Sequence, residues 1–229
     1  MKRLVKLTMA ITIMCIFTNA QAQKLDYFGS SVSQKIGPKT IRAPYTDVVT
    51  YLGYAAVDTE DEIKDGKKYY YIYMWIPVAA PELGVRMMSP AGITKNKNII
   101  ESEDYINNKG SKDYFDTYIT LERSSIVTKS GITKEGVDKA IWYKLASNDD
   151  SSEMPKNAGK KRHNSLLRYE SHISDPLKAL TVGLYRIGFT SYKKGEVKGT
   201  FLAEIASPIK LNGVSMARTI DELVEQINK

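Results

Sequence analysis

The chain is short of the side chains from which reactive sites are usually built. Among its 229 residues there is one cysteine, Cys15, and there are two histidines, His163 and His172. A lone cysteine excludes an internal disulfide, so stability must come from an ordinary packed core. The sequence also lacks a G-x-S-x-G nucleophile turn, a Walker phosphate loop and an H-E-x-x-H zinc helix. His163 and His172 lie nine positions apart across an expected strand, with no Ser or acid at a recognisable spacing. These absences point away from an enzyme, although a glycosidase pair of carboxylates would leave no spacing to read. No internal repeat is present, and no apolar run reaches the roughly 20 residues of a membrane-crossing helix.

What is present at the start is an export signal. Lys2, Arg3 and Lys6 precede an apolar run over residues 7–17, followed by Ala20-Gln21-Ala22, a small-x-small cleavage pattern. Residues 1–22 are expected to be a signal peptide, with Gln23 first in the mature chain. Cys15 sits inside the apolar run behind Ile13 and Met14, where lipoprotein processing would want small residues, so it is expected to leave with the leader. Removing those three bases lowers the formal charge from +7 to +4. That mild, dispersed charge argues against nucleic acid and allows weak attraction to an anionic surface.

Residues 23–44 are polar, carry Gly37-Pro38 and Pro44, and read as a loosely held arm. Residues 45–229 read as one domain. Eight strands are expected over 47–55, 68–76, 83–88, 114–123, 140–144, 166–171, 182–192 and 198–205, rich in Tyr, Val, Ile and Phe. Short strands joined by loops favour a β-sandwich over a parallel α/β sheet. Two helices accompany them, over 133–139 and 219–227. The second has a Thr219 cap, Glu222 three residues on, and an apolar stripe of Ile220, Leu223, Val224 and Ile227.

In the run 69–76, alternation sets Tyr69, Tyr71, Tyr73 and Trp75 on one face and Tyr70, Ile72, Met74 and Ile76 on the other. The aromatic row reads first as core packing, and second as a sugar-stacking platform. An acidic loop, Ser147-Asn148-Asp149-Asp150-Ser151-Ser152-Glu153, and the pair Asp116-Thr117 could together offer hard oxygens to calcium. Neighbouring strand residues face opposite ways, so Asp116 and Thr117 could both ligate only where the strand opens. By spacing alone the acidic loop reads first as a solvated surface, and only second as part of a calcium site.

Several blocks carry a resemblance. Residues 70–77, Glu82-Leu83-Gly84-Val85-Arg86-Met87-Met88-Ser89-Pro90, Phe115-Asp116-Thr117, Asn164-Ser165-Leu166 with Arg168, and Gly183-Leu184-Tyr185-Arg186-Ile187-Gly188-Phe189-Thr190 fall in one order with small gaps. This arrangement resembles the major outer-membrane surface lipoprotein family of pathogenic leptospires. The resemblance implies a calcium-binding jelly-roll β-sandwich with a few peripheral helices. It also implies partners of the extracellular-matrix kind, such as fibronectin, laminin and collagen. Carried over by position, the calcium ligands implied are Asp116, Thr117, Asp149, Asp150 and the backbone carbonyl of His163. Where the family has a longer acid run, this chain has Ala146-Ser147-Asn148 before Asp149. The implied affinity is then modest, on the order of 10⁻⁵ to 10⁻³ M.

The expected function is an exported calcium-binding adhesion module, in the periplasm, at the outer-membrane surface with peripheral attachment, or secreted. A carbohydrate-binding module binding glycans and a structural envelope protein without a specific ligand are the alternatives.

Overall fold

The computed structural model describes residues 24–25, 27–193 and 195–229. The expected leader, with Cys15, lies outside the described residues. Among the described residues there are thirteen strands: β1 (Gly29–Ile36), β2 (Lys39–Pro44), β3 (Asp47–Ala55), β4 (Glu62–Lys64), β5 (Lys67–Ile76), β6 (Glu82–Met88), β7 (Ile99–Glu101), β8 (Thr117–Ser124), β9 (Trp142–Asn148), β10 (Ser165–Glu170), β11 (Gly183–Ser191), β12 (Gly199–Ser207) and β13 (Ser215–Ala217). Three short helices accompany them: α1 (Glu103–Asn108), α2 (Lys134–Lys139) and α3 (Ile220–Ile227).

Two sheets face each other, in the orders β10-β6-β12-β3-β7 and β13-β5-β11-β8-β9, the latter with β4 paired to β5. The eight strands expected from the sequence are β3, β5, β6, β8, β9, β10, β11 and β12. Counted in that order, the first, eighth, third and sixth form one sheet, and the second, seventh, fourth and fifth form the other. That interleaving, with every one of these pairings antiparallel, is a jelly roll.

The alternation of β5 decides its two faces. Tyr70, Ile72, Met74 and Ile76 enter the core between the sheets, with Ile119, Leu121, Tyr185, Ile187, Phe189, Val85 and Ile205. Aromatic rings link its layers: Tyr70 and Phe189 stack at 5.4 Å between centroids, and Phe189 meets Phe201 at 4.6 Å. Gly53 pairs directly with Phe201, and a Cβ there would fall 2.3 Å from its ring. Glycine is required because the ring lies across the partner backbone.

On the opposite face of β5, Tyr71 is buried against Arg186 and one end is covered by α3. Trp75, 3% exposed, packs with Leu184, Ala217, Ile220 and Leu223 beneath α3. The expected capping box forms: Thr219 accepts from the Glu222 backbone N–H, and the Glu222 carboxylate accepts from the Thr219 N–H. The helix is therefore a flap on the sandwich, held by an apolar stripe and a satisfied first turn.

Residues 24–44 differ from the loose arm expected of their composition. Leu25 and Phe28 are buried against Leu52, Met88 and Leu202, and β1 and β2 pair as a hairpin. Its polar residues find distant partners. Ser31 donates to Glu82 from N–H at 2.9 Å and from Oγ at 2.7 Å, and Arg42 and Arg168 share Glu153 at 3.0 and 2.9 Å. Polar composition alone could not show those contacts.

Candidate functional site

Strand β9 ends at Asn148 in one sheet and β10 begins at Ser165 in the other, so residues 149–164 must cross the edge of the sandwich. Backbone and side-chain bonds fold this crossing. Asn148 Oδ1 accepts from the Leu166 N–H at 3.1 Å, Asn157 N–H donates to Arg162 O at 2.7 Å, and Asn164 N–H donates to Pro155 O at 3.0 Å. Met154 anchors it beneath Leu166 in the apolar layer outside β6 and β12.

The start of β8 is clasped to the same place. Thr117 Oγ1 accepts from the Ser165 N–H at 2.9 Å, and Ser165 Oγ donates to Thr117 O at 2.6 Å. Ser165 Oγ also lies 3.1 Å from Asp149 O. Thr117 is fully buried, so its hydroxyl joins two strands rather than facing the loop.

Asp116, one residue earlier, turns the other way. Its Oδ1 accepts from Asn157 Nδ2 at 3.3 Å, and its carbonyl accepts from the Tyr192 N–H at 2.9 Å. Burial pushes the Asp116 carboxyl above the usual carboxylate range; Asp150 and Asp149 push the same way, and outweigh the Asn157 hydrogen bond and Arg162 together with that burial. Asp150 Oδ1 accepts from the His163 backbone N–H at 3.0 Å and lies 3.2 Å from its ring Nδ1. Arg162 stands 3.9 Å from Asp150 Oδ2. Asn157 is 5% exposed, and its Oδ1 is buried without a hydrogen-bond donor among the described residues. A cleft of about 510 Å³ opens beside it, lined by Tyr114, Asp116, Asn157, Gly159, Lys161, Arg162 and Lys193.

All five residues singled out in the sequence therefore meet at one corner, in two groups. Asp150 and Asp149 both act electrostatically on Asp116, and His163 lies against Asp150. Thr117 belongs to the clasp behind them. Among the described residues no group of three or more His, Cys, Asp or Glu side chains is placed to hold a metal ion. The donors on offer are hard oxygens, with the orphaned Asn157 amide oxygen beside a carboxyl that ionises reluctantly. Both features suit a hard cation, which would give the acceptor a partner and lower the cost of ionising Asp116. Asn157 was not legible in advance, because nothing in Lys156-Asn157-Ala158 sets it apart from any turn residue.

The aromatic row is divided. Trp75 lies under α3 and offers no stacking face, whereas Tyr73 is half-buried near Trp142. His172 rests against Tyr169, 5.7 Å between rings.

A family model described as surface lipoprotein of Spirochaetales order matches residues 39–216 of this chain, well over half its length. No curated protein matches it.

Proposed function

Since the chain belongs to the surface lipoprotein family of the Spirochaetales order, we propose that it works at the cell surface as a non-enzymatic adhesion module whose 149–164 crossing is pinned by calcium. The observation that carries the calcium reading is the orphaned Asn157 Oδ1 beside Asp116, whose carboxyl is pushed up by burial and by its acidic neighbours. Asp116, Asp149 and Asp150 would supply the charge, and Asn157 Oδ1 and the His163 carbonyl neutral oxygens. Thr117 holds the start of β8 in place through Ser165. When bound there, calcium would supply positive charge, and Asp116 at the start of β8 and the acids and carbonyl of the crossing would be held together by it, stabilising the fold by linkage. At a free concentration 100 times Kd, that linkage is worth about 2.7 kcal/mol.

The adhesive face is supported by the β1–β2 hairpin, where Val32, Ile36 and Ile41 are exposed beside Lys35 and Lys39. Such exposed apolar side chains on a projecting hairpin suit a macromolecular partner. The test is surface plasmon resonance on immobilised fibronectin, laminin and collagen. Saturable binding that weakens with EDTA, and in the Asp149→Ala/Asp150→Ala variant, is expected. No binding to any of the three in millimolar calcium would overturn the reading.

A further inference from the structure

On the outer face of β5, beside Tyr73, lies a second cleft, of about 420 Å³, within the roughly 300–1,000 Å³ of small-ligand sites. Its lining includes Asp61, Glu62, Tyr73, Asp138, Trp142 and Arg186. It lies outside the calcium corner and shares no residue with it.

The cleft is assembled around one cation. The Arg186 guanidinium lies between two rings, 3.7 Å from the centroid of Tyr71 and 4.0 Å from that of Trp142. It also donates from Nε and Nη2 to Glu122 Oε2, at 2.8 and 2.7 Å. This stack fixes the Trp142 ring at the cleft, where Tyr73 stands 6.1 Å away and tilted by 54°. Gly188 makes room for it, since a Cβ would lie 2.5 Å from Thr120 Oγ1 and 3.1 Å from the Tyr71 ring. Both Trp142 and Tyr73 are only half-buried.

Polar groups are held around these rings. Asp61 Oδ2 accepts from the Tyr71 N–H at 2.7 Å and from Arg218 at 2.8 Å. Glu62 Oε2 accepts from Tyr71 Oη at 2.6 Å and from Lys64 at 3.0 Å. Those bonds fix each carboxylate through one oxygen. Asp138, exposed on α2, has no hydrogen bond or ion pair among the described residues. Fixed aromatic surface flanked by oriented acceptors is what a sugar ring needs, its C–H face lying on the rings and its hydroxyls donating outward.

The geometry points to a glycan site here, taking an uncharged hexose or N-acetylhexosamine unit against Trp142 and Tyr73, with Asp61, Glu62 and Asp138 accepting from its hydroxyl or amide groups. Charge selects against other ligands. Arg186 is neutralised by Glu122, Asp61 by Arg218 and Glu62 by Lys64, which leaves the Asp138 carboxylate, so sulfated or sialylated glycans are disfavoured.

The test is titration of the mature chain with chitotetraose, maltotetraose, a heparin tetrasaccharide and a lysine-rich peptide, followed by ¹H–¹⁵N spectra of the two tryptophan indoles. One neutral tetrasaccharide should bind, shift the Trp142 indole and leave the Trp75 indole in place. Trp142→Ala should weaken binding at least tenfold. Asp138→Ala, at an exposed site that cannot unfold the sheet, should weaken it severalfold. The site is overturned if neither neutral sugar binds, if only the heparin fragment or the peptide binds, if the Trp142 signal stays still, or if Asp138→Ala binds as the parent does. Calcium removal with EDTA should leave sugar binding unchanged, which separates this site from the metal corner.

Discussion

Asn157 donates through Nδ2 to Asp116 Oδ1 at 3.3 Å, while its own buried amide oxygen has no donor among the described residues. A buried acceptor left in that state costs about 1–3 kcal/mol. It stands next to a carboxyl whose ionisation is already disfavoured by burial.

The pH dependence of that corner follows from its sign. A folded-state pKa raised above the unfolded value means that the native state binds the proton more readily, so stability falls as pH rises through that window. Asp116→Asn should therefore raise the melting temperature in EDTA at neutral pH, and the gain should vanish at acid pH. Melting curves of both proteins across pH 3.5–7.5 (about the window in which carboxylates titrate) check this. A variant less stable at every pH would contradict it.

The β1–β2 hairpin has the opposite sign. Burial alone would raise the Glu153 carboxyl, but Arg168 and Arg42 outweigh it and hold the group below its usual range. Stability from this junction is present above the unfolded pKa and lost as pH falls through the folded one. Glu153→Gln, the uncharged mimic, should loosen the hairpin at neutral pH. Trypsin should then cut after Lys35 and Lys39 several times faster, with the melting temperature lowered by only a few degrees.

Each sheet carries a buried ion pair on its outer face. Arg86 meets Glu204 at 2.6 Å, and Phe28 packs on the guanidinium, 4.3 Å to its centroid. Glu204→Ala should cost about 3–5 kcal/mol, because it removes a buried carboxylate that accepts from Arg86, Thr50 and Thr94. Replacing both as Arg86→Met/Glu204→Leu should cost far less. Urea denaturation of the two variants separates the loss of one buried partner from the loss of the whole pair.

The flap over Trp75 gives a local test. Leu223 is fully buried beneath α3. Leu223→Ala should destabilise by about 2–5 kcal/mol and shift the Trp75 emission to the red. Thr219→Ala should cost about 1 kcal/mol through the lost cap.

Much of this architecture was legible because the eight principal strands carry their own alternation, as β5 does with Tyr70, Ile72, Met74 and Ile76. The short strands were not. β13 spans Ser215–Ala217 and exists through pairing with Trp75, Met74 and Tyr73, which its three residues do not encode. The hairpin was hidden for the same reason: Ser31 finds Glu82 and Arg42 finds Glu153, 51 and 111 positions away. β9 was expected over 140–144 and runs over Trp142–Asn148, since its pairing with β8 continues past a register shift between Leu121 and Glu122. At the corner, the acids could be singled out by type and by resemblance. The orientation of Thr117 toward Ser165 and the role of Asn157 depend on how the crossing folds, and no local pattern writes that.

Pinning of residues 149–164 to the start of β8 by calcium is read most directly from the melting temperature of the chain lacking residues 1–22, titrated with calcium beside Asp149→Ala/Asp150→Ala under the same conditions. A saturable rise is expected in the parent, with a midpoint on the order of 10⁻⁵ to 10⁻³ M, and none in the double variant. An equal rise in both proteins, or no rise in either, would contradict it.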